Sequence, residues 1–205
     1  MGEPRLYLFT PPAIAPAAFA PRLAVALEGG PVAAVALRLA AGDAIAEEAA
    51  RHLVPLCHAR GVPVLLCDDL AGVRAAGADG LHLGDESRLA EARRRLGAQA
   101  MIGAACGGSR DRAIAAGEAG ADYVAFGPFF PAPGGEGVDP EILGWWQALM
   151  ELPCVAAGGI TPETAPGLIT AGADFIAVAR AVWEAAQGPA AALAAFDRAT
   201  PRPPG

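Results

Sequence analysis

The sequence predicts an α/β fold, a closed (β/α)8 (TIM) barrel built as a single domain. Short apolar runs alternate with helical segments along the chain, which is the pattern of parallel βα units. The tetrapeptide Ala-Gly-Ala-Asp occurs at residues 76–79, 119–122 and 171–174, each time between a helical pattern and an apolar run. Its glycine suits the left-handed position that follows a helix end. Eight such units in 205 residues favour a closed barrel over an open sheet, although barrels typically have about 250 residues.

The eight predicted strands are mostly continuous apolar runs, as expected of strands that are covered on both faces. In chain order they span residues 6–10, 32–38, 63–67, 80–83, 100–104, 123–127, 154–157 and 175–179.

The helical segments between these strands begin at recognisable capping residues. Asp43 precedes a long helix over residues 44–60, in which Pro55 predicts a kink or a division. Further helices are predicted over 88–96 after Ser87, over 110–119 after Ser109, and over 141–150 after Asp139-Pro140. Residues 1–198 are predicted to form the barrel domain, and residues 199–205, with three prolines, a flexible tail.

The composition excludes several classes of protein. A formal net charge of −7 argues against non-specific nucleic-acid binding, which relies on basic surface. No apolar run approaches the roughly 18 residues of a membrane span and no signal-peptide pattern opens the chain, so we expect a cytoplasmic protein without membrane association. All 15 basic residues are Arg, and a chain without Lys cannot form the Schiff base of a PLP enzyme or a lysine-dependent aldolase. The four cysteines form no C-x-x-C pair, so metal-knuckle spacing is absent.

The ends of the last two predicted strands indicate an anion site. Gly158 and Gly159 end one strand, and Val178-Ala179-Arg180 ends the next. Adjacent strand ends that lead into helices present bare amides to an anion, with Thr161 as the predicted N-cap and Pro162 at the first helical position. In (β/α)8 barrels the loops after strands seven and eight often hold a phosphate. The alternative is two βα turns that use Gly for tightness alone.

Acidic residues follow predicted strands three and four. Asp68 comes after the third strand, and Asp85 and Glu86 come after the fourth. Together they could hold Mg²⁺, a hard ion that prefers carboxylates, water and phosphate oxygens. The alternative is that Asp68 or Asp69 caps the next helix and that the acidic pair stabilises the helix after Ser87.

Two further residues are candidates for chemistry at the strand ends. His82 alternates with two leucines and could point into the barrel as a ligand-orienting or acid–base group, or be a satisfied interior histidine. Arg38 ends an apolar strand, where its charge needs a partner such as a phosphate or a nearby acid.

Taken together, these residues resemble the thiamine-phosphate synthase family and its thiazole-tautomerase relatives. The resemblance extends from Leu6 to about Val182 and is strongest in the segments ADGLHLG (78–84), ADYVAFGPFFP (121–131) and AAGGI (156–160). It implies a (β/α)8 barrel and a transferase that joins hydroxymethylpyrimidine pyrophosphate to a thiazole phosphate with Mg²⁺, releasing pyrophosphate. Dissociation in such an enzyme gives a pyrimidine carbocation that the thiazole nitrogen attacks. The implied ligands are small phosphorylated thiamine precursors, and assembly as a homo-oligomer is left open.

The resemblance also implies roles for individual residues. Arg38, Asp68 and His82 are the catalytic candidates, and Asp68, Asp85 and Glu86 are the metal candidates. The substrate- and phosphate-binding candidates are Gly127, Gly158, Gly159, Val178, Ala179 and Arg180.

The chain departs from the family pattern mainly where the family binds pyrophosphate. Ala36 and Ala40 flank Arg38 where the family usually has Gln and Lys, and Cys67 replaces an Asn before Asp68. Ser87 stands at the second metal Asp, and a serine that binds pyrophosphate is replaced near residues 105–106. A Thr-x-Thr-Lys segment is replaced by residues 132–135, Ala-Pro-Gly-Gly. At the phosphate-binding serine after strand eight stands Arg180.

These departures predict an unequal pocket, with the thiazole-phosphate end retained and the pyrophosphate end reduced. One lost donor to a developing anion often costs about 2.7–4 kcal/mol. We therefore expect thiazole-phosphate binding with synthase turnover below that of a fully equipped relative. The alternatives are a tautomerase-like isomerase, disfavoured by Pro128 where those relatives carry His, and a non-catalytic phosphate-binding barrel. The fold cannot decide among them, since one barrel hosts many chemistries.

Overall fold

The computed structural model describes residues 5–40 and 42–200 and shows a closed barrel of eight parallel strands. Each strand pairs with the next, and the last pairs with the first, which confirms the predicted fold. The strands are β1 Leu6–Phe9, β2 Ala34–Leu37, β3 Val64–Cys67, β4 Gly80–Leu83, β5 Met101–Gly107, β6 Tyr123–Phe126, β7 Cys154–Ala156 and β8 Phe175–Val178.

The helices surround the barrel and begin close to where the sequence predicts them. They are α1 Pro16–Ala26, α2 Asp43–His52, α3 Val54–His58, α4 Gly72–Ala76, α5 Leu89–Leu96, α6 Arg110–Glu118, α7 Glu141–Leu149, α8 Ala165–Thr170, α9 Arg180–Trp183 and α10 Pro189–Ala199. A short 3-10 turn over Glu86–Arg88 precedes α5.

The predicted helix caps have mixed outcomes. Ser109 is confirmed, because its side chain accepts a hydrogen bond from the Arg112 amide at 3.2 Å. The predicted helix over 44–60 divides into α2 and α3 at Leu53, with Pro55 in the first turn of α3, and the residue before α2 is Gly42 rather than Asp43. The expected start at Thr161 and Pro162 is wrong: α8 begins at Ala165, after a turn in which the Thr164 hydroxyl accepts from the Thr161 amide.

The three Ala-Gly-Ala-Asp glycines adopt the predicted left-handed conformation. Gly77, Gly120 and Gly172 have φ values of 64°, 89° and 118°, and each follows a helix and precedes a strand. A side chain is strained at such φ values, so glycine is the residue that lets the chain reverse there.

Apolar side chains form two layers, one between strands and helices and one inside the barrel. The inner layer combines a few rings with small residues that make room for them. At Gly103 on β5, a Cβ atom would lie 2.1 Å from the Tyr123 ring, so this glycine is what admits the ring. The buried members of the inner layer are Tyr7, Ala34, Ala36, Leu65, Tyr123, Ala125, Val155 and Ala177.

The C-terminal boundary of the barrel lies later than the sequence predicts. Ala199 ends α10, and the buried Thr200 hydroxyl donates to the Phe196 carbonyl at 2.8 Å, so both belong to the packed domain. The remainder of the predicted tail, residues 201–205, lies outside the described residues. Within the described part of the chain, none of the helices combines the length and apolar character needed to cross a membrane.

Candidate functional site

A cavity of about 1040 Å³ opens at the carboxyl ends of the strands. This is the end of a (β/α)8 barrel at which active sites lie, and the volume suits small organic ligands. All six substrate-binding candidates line the cavity, and so do Arg38 and His82. The three acidic candidates Asp68, Asp85 and Glu86 do not belong to its lining.

The loops after β6 and β7 form one wall of the cavity and are hydrogen-bonded to each other. The Phe129 amide donates to the Ala157 carbonyl and the Phe130 amide to the Gly158 carbonyl, both at 3.0 Å. Gly158 and Gly159 have φ values of 94° and 70°. A Cβ at Gly159 would lie 1.8 Å from the Phe130 carbonyl oxygen. The glycines are therefore required by the contact between these loops, which supports the interpretation of tight turns and places two backbones side by side in the wall.

Arg180 stands on the neighbouring wall, at the first residue of α9. Its side chain makes no hydrogen bond or ion pair with any other residue between 5 and 40 or between 42 and 200. An exposed guanidinium at a cavity wall can bind an anion through several N–H groups at once. The structure thus brings this cation together with the two glycine-containing loops.

Arg38 lines another part of the cavity, just after the end of β2. Its Nε donates to the Thr10 carbonyl at 2.5 Å, and its backbone amide donates to the Thr10 hydroxyl at 2.9 Å. The guanidinium carbon lies 6.0 Å from the centre of the Phe9 ring, within the range of a cation–π contact. Partial burial lowers the pKa of Arg38, which nevertheless stays charged because an arginine pKa starts above 12. These contacts hold the guanidinium beside Thr10 and Phe9, and Arg38 lines the cavity.

His82 is the buried titratable group of the lining, with 8% of its surface exposed. Its Nδ1 lies 2.8 Å from the Tyr123 hydroxyl, and its ring stacks on Tyr123 and meets the Phe9 ring edge-on. Burial lowers the pKa of His82 to about 4. The imidazole is therefore neutral at physiological pH, so it can orient a ligand by hydrogen bonding but does not carry a charge.

Asp68 follows β3 and has a left-handed backbone, with φ of 58°. Such a conformation is uncommon for a residue other than glycine, although Asp and Asn tolerate it best, and it is frequent at functional sites. Its Oδ1 accepts a hydrogen bond from the Gly84 amide at 2.7 Å, which ties the end of β3 to the end of β4. Its neighbour Asp69 caps α4 through the Gly72 amide at 2.9 Å, as the capping alternative predicts for one of the two.

Asp85 and Glu86 are each engaged by a nearby side chain. Asp85 accepts hydrogen bonds from the amide and the hydroxyl of Ser87, and these bonds lower its pKa. Glu86 Oε2 accepts a charge-assisted hydrogen bond from Arg112 Nε at 2.7 Å. Among the described residues, no three His, Cys, Asp or Glu side chains are grouped around one point. Asp85 is thus held by Ser87 in the turn before α5 and Glu86 is paired with Arg112 of α6, while Asp68 presents its carboxylate where β3 ends.

Sequence reasoning missed two residues beside the site, Tyr7 and Tyr123. Their hydroxyl oxygens lie 2.6 Å apart, and that of Tyr123 also contacts His82. Both point into the barrel, because they are two positions before the cavity-lining Phe9 and Ala125 on the same strands. The alternation of side chains along a strand could have predicted that both tyrosines point inward. It could not predict that they contact each other, because 116 positions separate them in the sequence.

The fold and the site define a class of protein, a (β/α)8 barrel with a ligand cavity that combines close backbone loops and three arginines, Arg22, Arg38 and Arg180. Residues 6–182 match the family described as thiamine monophosphate synthase, and the chain belongs to this family.

Similar proteins agree with that assignment. The chain is 55% identical to a thiamine-phosphate synthase of Rhodospirillum centenum, covering 97% of this chain and 98% of that protein. It is 46% identical to a thiamine-phosphate synthase of Hyphomonas neptunium, covering 94% and 92%. Among solved structures, a thiamine phosphate pyrophosphorylase from Pyrococcus furiosus matches with a TM-score of 0.82 and 27% identity, covering 95% of this chain and 94% of the other.

Proposed function

We propose that this protein is a transferase that joins hydroxymethylpyrimidine pyrophosphate to a thiazole phosphate and releases pyrophosphate. The observation that carries the proposal is the cavity, in a member of the thiamine monophosphate synthase family, with Arg38 and Arg180 at two different places of its lining. Two separate cations suit two phosphorylated substrates, since each guanidinium binds phosphate oxygens through paired N–H groups.

In the proposed reaction the bond between the pyrimidine methylene carbon and the pyrophosphate oxygen breaks, and its electron pair leaves with the oxygen. The thiazole nitrogen then donates its lone pair to the cationic carbon, and a carbon–nitrogen bond forms without any proton transfer. The walls next to Gly158, Gly159 and Arg180 hold the thiazole phosphate, while Arg38 faces the departing pyrophosphate. Neutral His82, between these groups and the barrel interior, orients the ligand rings.

Asp68 is the residue that we propose holds Mg²⁺. It offers an exposed carboxylate at the strand ends, and Mg²⁺ is commonly bound by one or two carboxylates with substrate phosphates supplying further oxygens. When bound, the ion would neutralise negative charge on the pyrophosphate leaving group. Asp85 and Glu86 become ligands only if they exchange Ser87 and Arg112 for the metal.

The reaction is proposed to take place in the cytoplasm. Its support is chemical: the four cysteines at positions 57, 67, 106 and 154 are free thiols, which is usual for proteins of a reducing compartment.

The test is the formation of thiamine phosphate and pyrophosphate from the two purified precursors with Mg²⁺. Arg180→Ala should weaken thiazole-phosphate binding by about 1.5–3 kcal/mol, the value of a hydrogen bond to a charged group. The matched control is Arg94→Ala, which removes an exposed arginine from α5 on the barrel exterior. Binding of thiazole phosphate without any product would leave the isomerase and the binding protein as the remaining functions.

A further inference from the structure

Three buried side chains form a continuous hydrogen-bonded chain inside the barrel, directly below the cavity. Tyr7 and Tyr123 are joined through their hydroxyls at 2.6 Å, and Tyr123 reaches His82 Nδ1 at 2.8 Å. The exposed fractions of the three side chains are 3%, 6% and 8%. Of the three, His82 alone lines the cavity, so this hydrogen-bonded chain runs from the barrel interior to the cavity.

The other ring nitrogen of His82, Nε2, faces the cavity. It has no hydrogen-bond partner among the residues that the structure describes. Among the described residues, Arg5 Nε is the fully enclosed side-chain nitrogen without a partner. His82 Nε2 also lacks a partner but is not fully enclosed. An atom that is neither bonded nor fully enclosed is in contact with open space, and the open space next to His82 is the cavity.

Counting hydrogens gives the chain a direction. Two hydroxyls and a neutral imidazole supply three polar hydrogens for two internal bonds, so one hydrogen must point elsewhere. If Tyr7 donates to Tyr123 and Tyr123 donates to Nδ1, the third hydrogen is on Nε2 and points into the cavity. In the two other arrangements a hydroxyl hydrogen of Tyr7 or Tyr123 is buried with no acceptor among the described residues. Buried donors without acceptors are rare because they are costly, which favours the first arrangement.

The ionisation states agree with this direction. Burial raises the pKa values of both tyrosines well above their usual value, so both hydroxyls keep their hydrogens.

We propose that Tyr123, supported by Tyr7, is a positioning residue that holds His82 as the Nε2–H tautomer and thereby gives the cavity floor a neutral hydrogen-bond donor. Such a donor selects a ligand that presents an acceptor atom, and the ring edges and small residues around it suit a heteroaromatic ring with an unprotonated nitrogen. The assignment of the ligand rests on the proposed function, whereas the tautomer does not.

The direct test is the nitrogen-15 spectrum of the histidine rings in the ligand-free protein, which distinguishes the two neutral tautomers. The chain has three histidines, and the spectrum of His82→Gln identifies the His82 signals. We expect the Nε2–H form in the unmodified protein and in Tyr7→Phe, because Tyr123 can still donate to Nδ1 in that variant. In Tyr123→Phe we expect a mixture with the Nδ1–H form. An Nδ1–H signal in the unmodified protein overturns the proposal, as does an unchanged tautomer in a folded Tyr123→Phe. If Tyr123→Phe does not fold, the unmodified spectrum alone decides.

The ligand is tested with the same signal and each thiamine precursor separately. At least one precursor should shift the Nε2 resonance of His82, and Tyr123→Phe should reduce kcat/KM roughly two- to tenfold, the value of one neutral hydrogen bond. Tyr7→Phe should reduce it less. A shift of Nε2 without product formation would contradict the proposed reaction and support the donor role. Product formation with no shift of Nε2 from either precursor would support the proposed reaction and contradict the donor role of His82.

Discussion

The Asp174 carboxylate accepts a hydrogen bond from the Cys154 amide at 2.8 Å, and the Asp174 amide donates to the Cys154 carbonyl at 3.2 Å. The last residue of each Ala-Gly-Ala-Asp segment makes the same pair of bonds to the first or second residue of the preceding strand. The other two pairs are Asp79 with Val64 and Asp122 with Ile102, in which all four distances are 2.7 Å. The repeat therefore joins strands at the amino-terminal end of the barrel, opposite the cavity.

The paired hydrogen bonds between Asp174 and Cys154 act as a clamp between the starts of β7 and β8. Removing this clamp should lower the unfolding free energy without affecting the ligand site. Asp174→Ala leaves the Cys154 amide, at the buried start of β7, without its carboxylate, and an unsatisfied buried donor costs about 1–3 kcal/mol. Denaturation in urea measures the loss of unfolding free energy. Glu151→Ala, an exposed residue at the same end of β7, is the control and should change it by less than about 0.5 kcal/mol. Equal effects of both variants would contradict the clamp.

Gly159 should not tolerate a side chain, because a Cβ atom there would overlap the Phe130 carbonyl. This overlap adds to the strain of its left-handed φ. Gly188 is a matched control: its φ is 86°, and a Cβ there would meet nothing within 4 Å. Gly188→Ala should lose about 1–2 kcal/mol, the left-handed penalty. Gly159→Ala should lose more and also weaken thiazole-phosphate binding, because the loops after β6 and β7 must separate. Calorimetric titration and thermal unfolding of both variants check this, and equal losses would show that overlap with Phe130 is unimportant.

The sequence predicted the barrel well because strand and helix patterns are local, whereas the partners of polar side chains are not. All eight strands were found within a few residues, and β5 extends beyond its prediction because Gly107 pairs with Phe126 across an irregularity. The Arg112–Glu86 pair spans 26 residues and the Tyr7–Tyr123 contact 116, so neither can be read from a neighbouring motif. An acidic residue at a strand end looks the same in the sequence whether it binds a metal, a serine or an arginine.

Because of His82, the unfolding free energy should decrease as the pH falls below about 6.5. Its pKa is lowered from 6.5 to about 4 in the folded protein, so the unfolded chain binds the proton more readily. The unfolding free energy should decrease as pH falls from 6.5 to 4 and receive no further contribution from this residue below 4, with a total of about 3 kcal/mol. Urea denaturation across this range in His82→Gln should show a shallower dependence than in the unmodified protein. His52→Gln, at an exposed position of α2, should keep the full dependence.

Asp68→Asn separates the charge of this residue from its structural contacts. Asn tolerates the left-handed backbone and offers an oxygen to the Gly84 amide, so the fold should be retained. If Asp68 holds Mg²⁺, the variant should lose the increase in pyrophosphate affinity that Mg²⁺ produces in the unmodified protein. Asp69→Asn, at the cap of α4, should keep that increase. The unmodified protein could instead bind pyrophosphate with the same affinity in Mg²⁺ and in a chelator. Asp68 would then have no role in metal binding, and its function would be the hydrogen bond from the Gly84 amide.

If the pyrophosphate end of the pocket is reduced, as the sequence predicts, an added cation there should raise turnover. Of the two positions where the family has Lys, Gly135 is the less suitable, because a Cβ there would lie 2.9 Å from the Pro131 Cβ. Ala40 is exposed and lies two residues after Arg38, so a long side chain there can extend from the same end of β2.

Ala40→Lys should therefore increase kcat, with little change in thiazole-phosphate affinity, because stabilising a departing anion acts on the transition state rather than on the bound ground state. Ala40→Gln adds a side chain of similar length without charge and should leave kcat unchanged. Steady-state kinetics with both precursors measure the difference. Robust Mg²⁺-dependent turnover by the unmodified protein, with no gain from Ala40→Lys, would mean that Arg38 and the metal already stabilise the leaving group and that the missing Lys is dispensable in this chain.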